Sequence, residues 1–107
     1  PELAQKKCVP CMIGTPPMAE KISRELLKQI VNWELIENAS KISKEFRFKD
    51  FKETMVFVNK FAQLCEQEGH HADFFISYRV VRLTIFTHKI NGLTESDFVL
   101  AAKIDKL

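Results

Sequence analysis

The fold is decided by residues 50–69, which read DFKETMVFVNKFAQLCEQEG. Asp50 is a favourable N-cap residue, and Glu53 follows at the position that completes a capping box. Gly69 is well placed to end the segment, because glycine readily adopts the left-handed conformation that follows many helices. This stretch therefore predicts the clearest helix of the chain. Its apolar or small residues recur at helical spacing: Phe51, Thr54, Val58, Phe61, Ala62 and Cys65.

Strands are predicted on both sides of this helix. Before it, residues 33–48 alternate between apolar and polar side chains on either side of a polar interruption, which is typical of a β-hairpin with a connection of about four residues. After it, the segment from Phe74 to His88 is rich in β-branched and aromatic residues in two alternating sets. This pattern predicts two strands joined by a turn, or one long bent pair.

Two more helices complete the predicted fold. Apolar residues recur at spacings of three and four within residues 18–31, which predicts a first helix. Asn91 and Gly92 mark a turn, and Thr94 followed by Asp97 opens a last helix. The order predicts an α+β fold, with a single-layer antiparallel sheet of about four strands and three helices on one face.

Composition indicates one ordinary globular domain. The 107 residues are 46% hydrophobic and 28% charged, which suits a single packed core. Residues 1–17 are rich in proline and lack a helical or strand period, so we expect an irregular N-terminal arm followed by one domain over residues 18–107.

Charge and cysteine content restrict the partners and the location. The chain has 16 Lys and Arg against 14 Asp and Glu, interspersed along its length, which argues against a direct nucleic-acid partner. No stretch approaches the roughly 20 apolar residues that span a bilayer, so no membrane partner is expected. The odd number of cysteines, three, favours a reducing, cytoplasmic location.

The chemistry is indicated by the histidines, all three of which lie between positions 70 and 88. His70 and His71 follow a glycine that ends a helix, and His88 precedes the turn at Asn91 and Gly92. Three imidazoles in one concavity would form a proton-transfer site, since an unperturbed pKa of about 6.5 keeps acid and base forms available near neutrality. A chance arrangement of surface histidines remains an alternative on these residues alone.

A metal site is another alternative. Cys8 and Cys11 form a C-x-x-C pair, and imidazoles are common zinc ligands. Zinc ribbons normally contain two such pairs, whereas an adjacent His-His would have to form the second half here. We therefore expect no metal, and the role of Cys8 and Cys11 stays open.

The histidine region resembles the signature of the pterin-4a-carbinolamine dehydratase family. The shared pattern is an acidic residue, three residues, His-His, an aromatic residue, a third histidine and then an aspartate. It is carried by Glu66, His70, His71, Tyr78, His88 and Asp97. Trp33 and the strings at 46–51 and 92–97 are also similar to family sequence, and residues 7–11 and 15–17 resemble the longer arm of microbial-type members.

This resemblance implies a hydro-lyase, 4a-hydroxytetrahydrobiopterin dehydratase, that needs no cofactor. It would eliminate water from a 4a-hydroxytetrahydropterin to give the quinonoid dihydropterin during tetrahydrobiopterin recycling. His70 and His88 would be the acid catalysts, and His71 would mainly hold the pterin. Glu66 and Asp97 would orient imidazoles, and the backbone around Ala72 and from Thr87 to Lys89 would meet the flat edge of the pterin. Trp33 would line the site, although a single tryptophan is at least as often part of a core.

Some positions depart from the family pattern. After His71 the family usually has proline, an acidic residue and tryptophan, whereas this chain has Ala72, Asp73 and Phe74. Loss of the proline removes a fixed φ from the loop that holds His71. Phe86 and Lys89 stand near the third histidine, where family members often have a small residue and an acidic one.

The expected partners follow from the resemblance and from the sheet. A sheet covered on only one face has apolar residues to bury elsewhere, so we expect a homodimer or homotetramer. An aromatic amino acid hydroxylase is a candidate source of the substrate. The alternative function is a protein-binding module, because animal members of the family also act as dimerisation cofactors of a homeodomain transcription factor.

Overall fold

The computed structural model describes residues 2–9 and 12–107. A short 3-10 helix at Leu3–Gln5 precedes helix α1 (Glu20–Leu27) and strands β1 (Glu34–Ile36) and β2 (Lys41–Arg47). Helix α2 (Phe51–Glu68) leads to β3 (Asp73–Ser77) and β4 (Val80–Ile85). A second 3-10 helix at His88–Ile90 and helix α3 (Glu95–Ile104) complete the chain, so the predicted order of elements is confirmed.

The sheet is a four-stranded antiparallel sheet in the order β1-β2-β4-β3. Val81, Leu83 and Ile85 of β4 are fully buried and form a core cluster with Phe61 of α2 and Phe98 of α3. The intervening β4 residue Arg82 is exposed on the other face. Alternation of this kind places the core on one side of the sheet, as expected for the α+β arrangement.

Helix α2 begins and ends where its caps predict. Asp50 Oδ1 accepts a hydrogen bond from the Glu53 backbone N–H at 2.8 Å, and Gly69 adopts a left-handed φ of 64° at the C-terminal end. Thr54, Val58, Phe61 and Cys65 are buried, as the helical spacing predicts, whereas Phe51 and Ala62 of the same predicted face are exposed. Because Gly69 turns the chain out of the helix, the next residue, His70, starts a loop.

Helix α1 is shorter than the pattern predicts, and residues 28–31 are not helical. Lys28, Gln29 and Ile30 make tighter backbone bonds to the third residue before them, and Asn32 has a left-handed φ of 61°. Ile22 and Val31 are exposed, whereas Ser23 is the fully buried residue of this helix. The apolar spacing therefore predicts a helix that continues past the point where the chain turns toward β1.

Both hairpin connections are tight. The β1-β2 connection has four residues, Glu37–Ser40, of which the first three have positive φ values between 49° and 60°. The β3-β4 turn is made by Tyr78 and Arg79, with a φ of 55° at Tyr78. The pattern did not locate this second turn, because neither residue is a typical turn residue. No helix within the described ranges has the length and apolar character needed to cross a bilayer.

A partly buried ion pair ties the end of α3 to the sheet. Lys44 Nζ lies 2.8 Å from Asp105 Oδ1, and both side chains are only 14% exposed. The indole Nε1 of Trp33 donates to both oxygens of the same carboxylate at 3.1 Å. Trp33 thus belongs to the packing between β1, β2 and α3.

We expect Asp105→Ala to lower the free energy of unfolding by about 3 kcal/mol, because it leaves Lys44 and the Trp33 indole without their acceptor in a poorly hydrated place. Urea unfolding at fixed protein concentration measures this loss. Arg24→Ala is the matched control, since it breaks the exposed Glu20–Arg24 pair of α1 and should cost less than about 0.5 kcal/mol. Equal losses in the two variants would contradict the structural role of Asp105.

Candidate active site

The three histidines line one cavity of about 210 Å³. It lies where the end of α2, the loop after β4 and the N-terminal residues meet. A larger cavity of about 420 Å³ lies between the first residues and the end of α3, but no histidine lines it. The smaller cavity is therefore the candidate active site, because all three imidazoles line it. Its walls are Cys8, Val9, Glu68, Gly69, His70, His71, Thr87, His88 and Lys89.

His70 is the most firmly held of the three. Its backbone N–H donates to the Cys65 carbonyl at 3.2 Å, which continues the C-terminal cap of α2. Its ring Nε2 lies 2.6 Å from Asp97 Oδ1. An ionised carboxylate can only accept, so Nε2 has the hydrogen and Nδ1 is the nitrogen left for other partners. The His70 side chain is 15% exposed, while Asp97 is fully buried.

Asp97 is held in turn by two further donors. The Thr87 hydroxyl donates to Asp97 Oδ2 at 2.9 Å, and the Thr94 backbone N–H donates to the same oxygen at 2.9 Å. The second bond is part of the capping box that starts α3, so the predicted helix start is confirmed. Asp97 therefore has both a capping role and a contact with a ring that faces the cavity.

His71 and His88 are more exposed than His70. His71 Nε2 lies 2.5 Å from Glu66 Oε2, and this pair is largely solvated. His88 lies in the short 3-10 helix, with its Nε2 3.4 Å from Asp73 Oδ1. Each of the three imidazoles thus has a carboxylate partner.

The loop that contains His88 is closed by its own backbone. Thr87 N–H donates to the Gly92 carbonyl at 2.9 Å, and Asn91 has a left-handed φ of 49°. The His88 ring packs against Phe86, with ring centroids 4.0 Å apart, and Phe86 itself is nearly buried. The bulky residue at position 86 thus supports the ring of His88 from one side.

Of the other predicted residues, Trp33 and Ala72 lie outside the cavity wall, whereas Thr87 and Lys89 line it. Trp33 is buried with Asp105 and Phe46 and does not line the cavity. Ala72 is half-buried against the core next to the loop, outside the cavity wall. Thr87 lines the wall, but its hydroxyl and N–H are already engaged by Asp97 and Gly92. Lys89 is exposed at the cavity wall.

Glu68, Cys8 and Val9 line the cavity but were not predicted as site residues. Cys8 N–H donates to Glu68 Oε1 at 3.1 Å, and this bond is the main cause that lowers the pKa of Glu68. Burial, with the nearby Glu68 charge, raises the pKa of the Cys8 thiol to about 12, so the thiol stays protonated near neutrality. Glu68 lies at the end of α2, but nothing in the sequence pattern indicates that the arm folds back onto it.

The metal alternative rests on Cys8 and Cys11, and Cys11 lies outside the described residues. Within residues 2–9 and 12–107 there is no group of three or more His, Cys, Asp or Glu side chains arranged to hold a metal ion. The hydrogen bonds of His70 to Asp97 and of His71 to Glu66 are the kind of contact that fixes the tautomer of a proton-transfer group.

The chain as a whole is similar to proteins of one family. Residues 16–107 match the family described as pterin 4 alpha carbinolamine dehydratase. A relative from Alkaliphilus metalliredigens with this provisional name is 50% identical over 97% of this chain and 94% of its own length. One from Rubrobacter xylanophilus is 44% identical over 99% and 98% of the two chains. A Brucella melitensis crystal structure titled transcriptional coactivator/pterin dehydratase superposes with a TM-score of 0.79 at 31% identity, over 84% of this chain and 96% of that one.

We expect Asp97→Asn to preserve the fold and to reverse the tautomer of His70. Thr87 and Thr94 both require an acceptor at the Oδ2 position, so the amide oxygen of the asparagine will occupy it and the amide nitrogen will face His70 Nε2. Nε2 must then accept, and the hydrogen moves to Nδ1. Long-range ¹H–¹⁵N correlation spectra in mildly alkaline solution distinguish the two tautomers.

Glu66→Gln is the control for this spectrum, because it changes the partner of His71 and leaves the surroundings of His70 intact. Persistence of the Nε2–H form of His70 in the Asp97→Asn protein would show that Asp97 does not determine the tautomer.

Proposed function

The chain belongs to the pterin-4a-carbinolamine dehydratase family, a family of hydro-lyases, and on that premise we propose that it dehydrates 4a-hydroxytetrahydrobiopterin. The product is the quinonoid dihydropterin, and the reaction serves tetrahydrobiopterin recycling. The observation that carries the proposal is the convergence of His70, His71 and His88 on one cavity.

The reaction requires an acid and a base but no oxidant or reductant. The bond between C4a and the hydroxyl oxygen breaks, the hydrogen on N5 leaves as a proton, and a C4a=N5 double bond forms. Hydroxide is a poor leaving group, so a proton must reach the oxygen as the bond breaks. Water is the only other product, and the acid and base together are restored after each turnover.

His70 and His88 are the proposed acids. The buried Asp97 gives the ring of His70 one orientation and one tautomer, and Phe86 supports the ring of His88. Rings held in this way lose little freedom when substrate binds, which favours proton transfer. His71 is more exposed and has Glu66 as its partner, which suits the proposed role of holding the pterin.

The edge of the pterin meets the wall formed by the loop after β4. The proposed contacts there are to the backbone at His88 and Lys89, and a further proposed contact is to the backbone that leads from the wall residue His71 to Ala72. Thr87 supports these contacts indirectly, because its own polar groups hold Asp97 and close the loop. The reaction takes place in the cytoplasm in this proposal, with an aromatic amino acid hydroxylase as the source of the substrate.

We expect His70→Ala and His88→Ala each to lower kcat by about a hundredfold or more, the usual contribution of a positioned general acid or base. His71→Ala should mainly raise KM. Stopped-flow absorbance of 4a-hydroxytetrahydropterin decay, with the substrate generated by a hydroxylase, measures both constants. Lys60→Ala, an exposed change on α2 away from the cavity, is the control and should match the wild type.

Two outcomes would contradict the proposal. Wild-type protein that does not exceed the spontaneous rate would show that the fold serves another purpose, and protein partners should then be sought. Acceleration that survives both His70→Ala and His88→Ala would keep the activity but remove the proposed acids.

The protein is also proposed to form a homodimer or homotetramer. The outer face of the sheet is more polar than expected, with Glu45 paired to Arg82 across β2 and β4. Exposed apolar side chains lie at the β3 edge of the sheet and in the turn after it, where Phe75 of β3 and Tyr78 of the turn are both 64% exposed. An unprotected edge strand with exposed aromatic side chains favours pairing with another chain.

We expect Phe75→Lys to weaken or abolish this self-association, because it places a charge beside the unpaired edge of β3. Sedimentation velocity over a range of protein concentrations will show the shift toward the monomer. Ile22→Lys, which replaces an exposed apolar residue on α1 (54% exposed, against 64% for Phe75), should leave the distribution unchanged. If both variants sediment like the wild type, the β3 edge is not the contact.

A further inference from the structure

The N-terminal arm folds back along α3 toward the catalytic cavity. Leu3 is buried in the core cluster, and Lys103 Nζ of α3 donates to the Ala4 carbonyl at 3.0 Å. Lys6 Nζ lies 3.0 Å from Glu95 at the first turn of the same helix. These contacts direct residues 3–9 along α3 to the point where α2 ends.

Residues 8 and 9 of this arm are held at the cavity by one residue of α2 and one of α3. Cys8 N–H donates to Glu68 Oε1 at 3.1 Å, and Val9 N–H donates to Ser96 Oγ at 2.8 Å. Ser96 Oγ also donates to the Val9 carbonyl at 3.2 Å. Glu68 is itself only 15% exposed and lies 3.6 Å from Lys103 Nζ. Both Cys8 and Val9 then contribute to the wall that also contains the histidines.

Four of the polar groups that Cys8 and Val9 bring to this wall are already hydrogen-bonded. The N–H groups of Cys8 and Val9 and the carbonyl of Val9 are bonded to Glu68 and Ser96, and the Cys8 thiol donates to the Ser96 carbonyl at 3.5 Å. The aminopyrimidinone edge of a pterin has donors and acceptors in a row and requires free partners. A wall with so few free partners does not match that row, and it suits a flexible substituent whose polar groups can turn toward solvent, since Val9 is 68% exposed.

We propose that Cys8 and Val9, held by Glu68 and Ser96, form the wall that contacts the C6 substituent of the pterin and so determine which substituents are accepted. This inference rests on the proposed dehydratase function. The C6 substituent is the part of the substrate that differs between natural and synthetic tetrahydropterins. It is attached to the second ring of the pterin, away from the aminopyrimidinone edge. Glu68 and Ser96 are positioning residues in this proposal.

The size of the cavity makes the wall selective. At about 210 Å³ the cavity is below the range of about 300–1,000 Å³ that is usual for small-molecule sites, so added bulk on one wall will exclude a longer substituent. Val9 is 68% exposed, so a larger side chain there has room to extend without disturbing the core.

The test compares two substrates, the 4a-hydroxy derivatives of 6-methyltetrahydropterin and of tetrahydrobiopterin, which has a dihydroxypropyl group at C6. Val9→Phe should lower kcat/KM for the dihydroxypropyl substrate by about tenfold more than for the methyl substrate, through KM, with kcat little changed. Lys7→Ala, an exposed change in the same arm, is the matched control and should leave the ratio as in the wild type.

The role of Glu68 is tested by adding a second substitution to Val9→Phe. Glu68→Ala frees the arm, so in the double variant the ratio of the two kcat/KM values should return toward the wild-type ratio. Glu68→Gln retains an oxygen acceptor for Cys8 N–H, so it should preserve the effect of Val9→Phe. A merely structural role for Glu68 would instead lower activity toward both substrates equally.

Substituent preference is also measured without turnover. Calorimetry gives the ratio of the dissociation constants of two unreactive 7,8-dihydropterins that have the same two substituents at C6. If the wild type binds both but accelerates neither substrate, the dehydratase function is wrong while the wall is still tested by the binding ratio. If Val9→Phe changes both substrates or both ligands by the same factor, or changes neither, the wall does not contact the C6 substituent and the inference is wrong.

Discussion

The buried carboxylate of Asp97 is the constraint on which the site depends. It is fully buried and accepts from Thr87, Thr94 and His70, which belong to the loop after β4, the start of α3 and the loop after α2. A buried charge is tolerated only when such donors surround it. Two segments that form the cavity, the loop after α2 and the loop after β4, therefore meet the start of α3 at one group, and an error in the position of any of the three would leave that charge without a partner.

Most of the fold could be predicted because its decisive signals are local. The caps of α2 at Asp50 and Gly69 and the start of α3 at Thr94 each depend on residues within one turn, and the structure has them as predicted. The predicted length of α1 is too great, because apolar spacing indicates which residues are buried and not where the backbone turns. Ile30 is buried, but it lies beyond the end of the helix.

The site could be predicted only in part, for the same reason. His70, His71 and His88 were identified by their closeness in sequence and by a spacing shared with a family. The contributions of Cys8 and Val9 depend on contacts with Glu68 and Ser96, far along the chain, which no periodicity reveals. Trp33 was predicted to line the site and does not. Its position in the sequence does not indicate that its indole nitrogen bonds to Asp105, which is 72 residues away along the chain.

The loss of the family's usual proline after His71 is accommodated by the contacts around it. Proline would stiffen the backbone at the position that Ala72 occupies. Here His70 is already held at both ends, by its N–H to the Cys65 carbonyl and by its ring to Asp97. Phe74, where the family usually has tryptophan, packs edge-on against Phe61 of α2, with ring centroids 5.3 Å apart. The loop is thus anchored before and after Ala72, so the geometry of His70 does not depend on a fixed φ between these anchors.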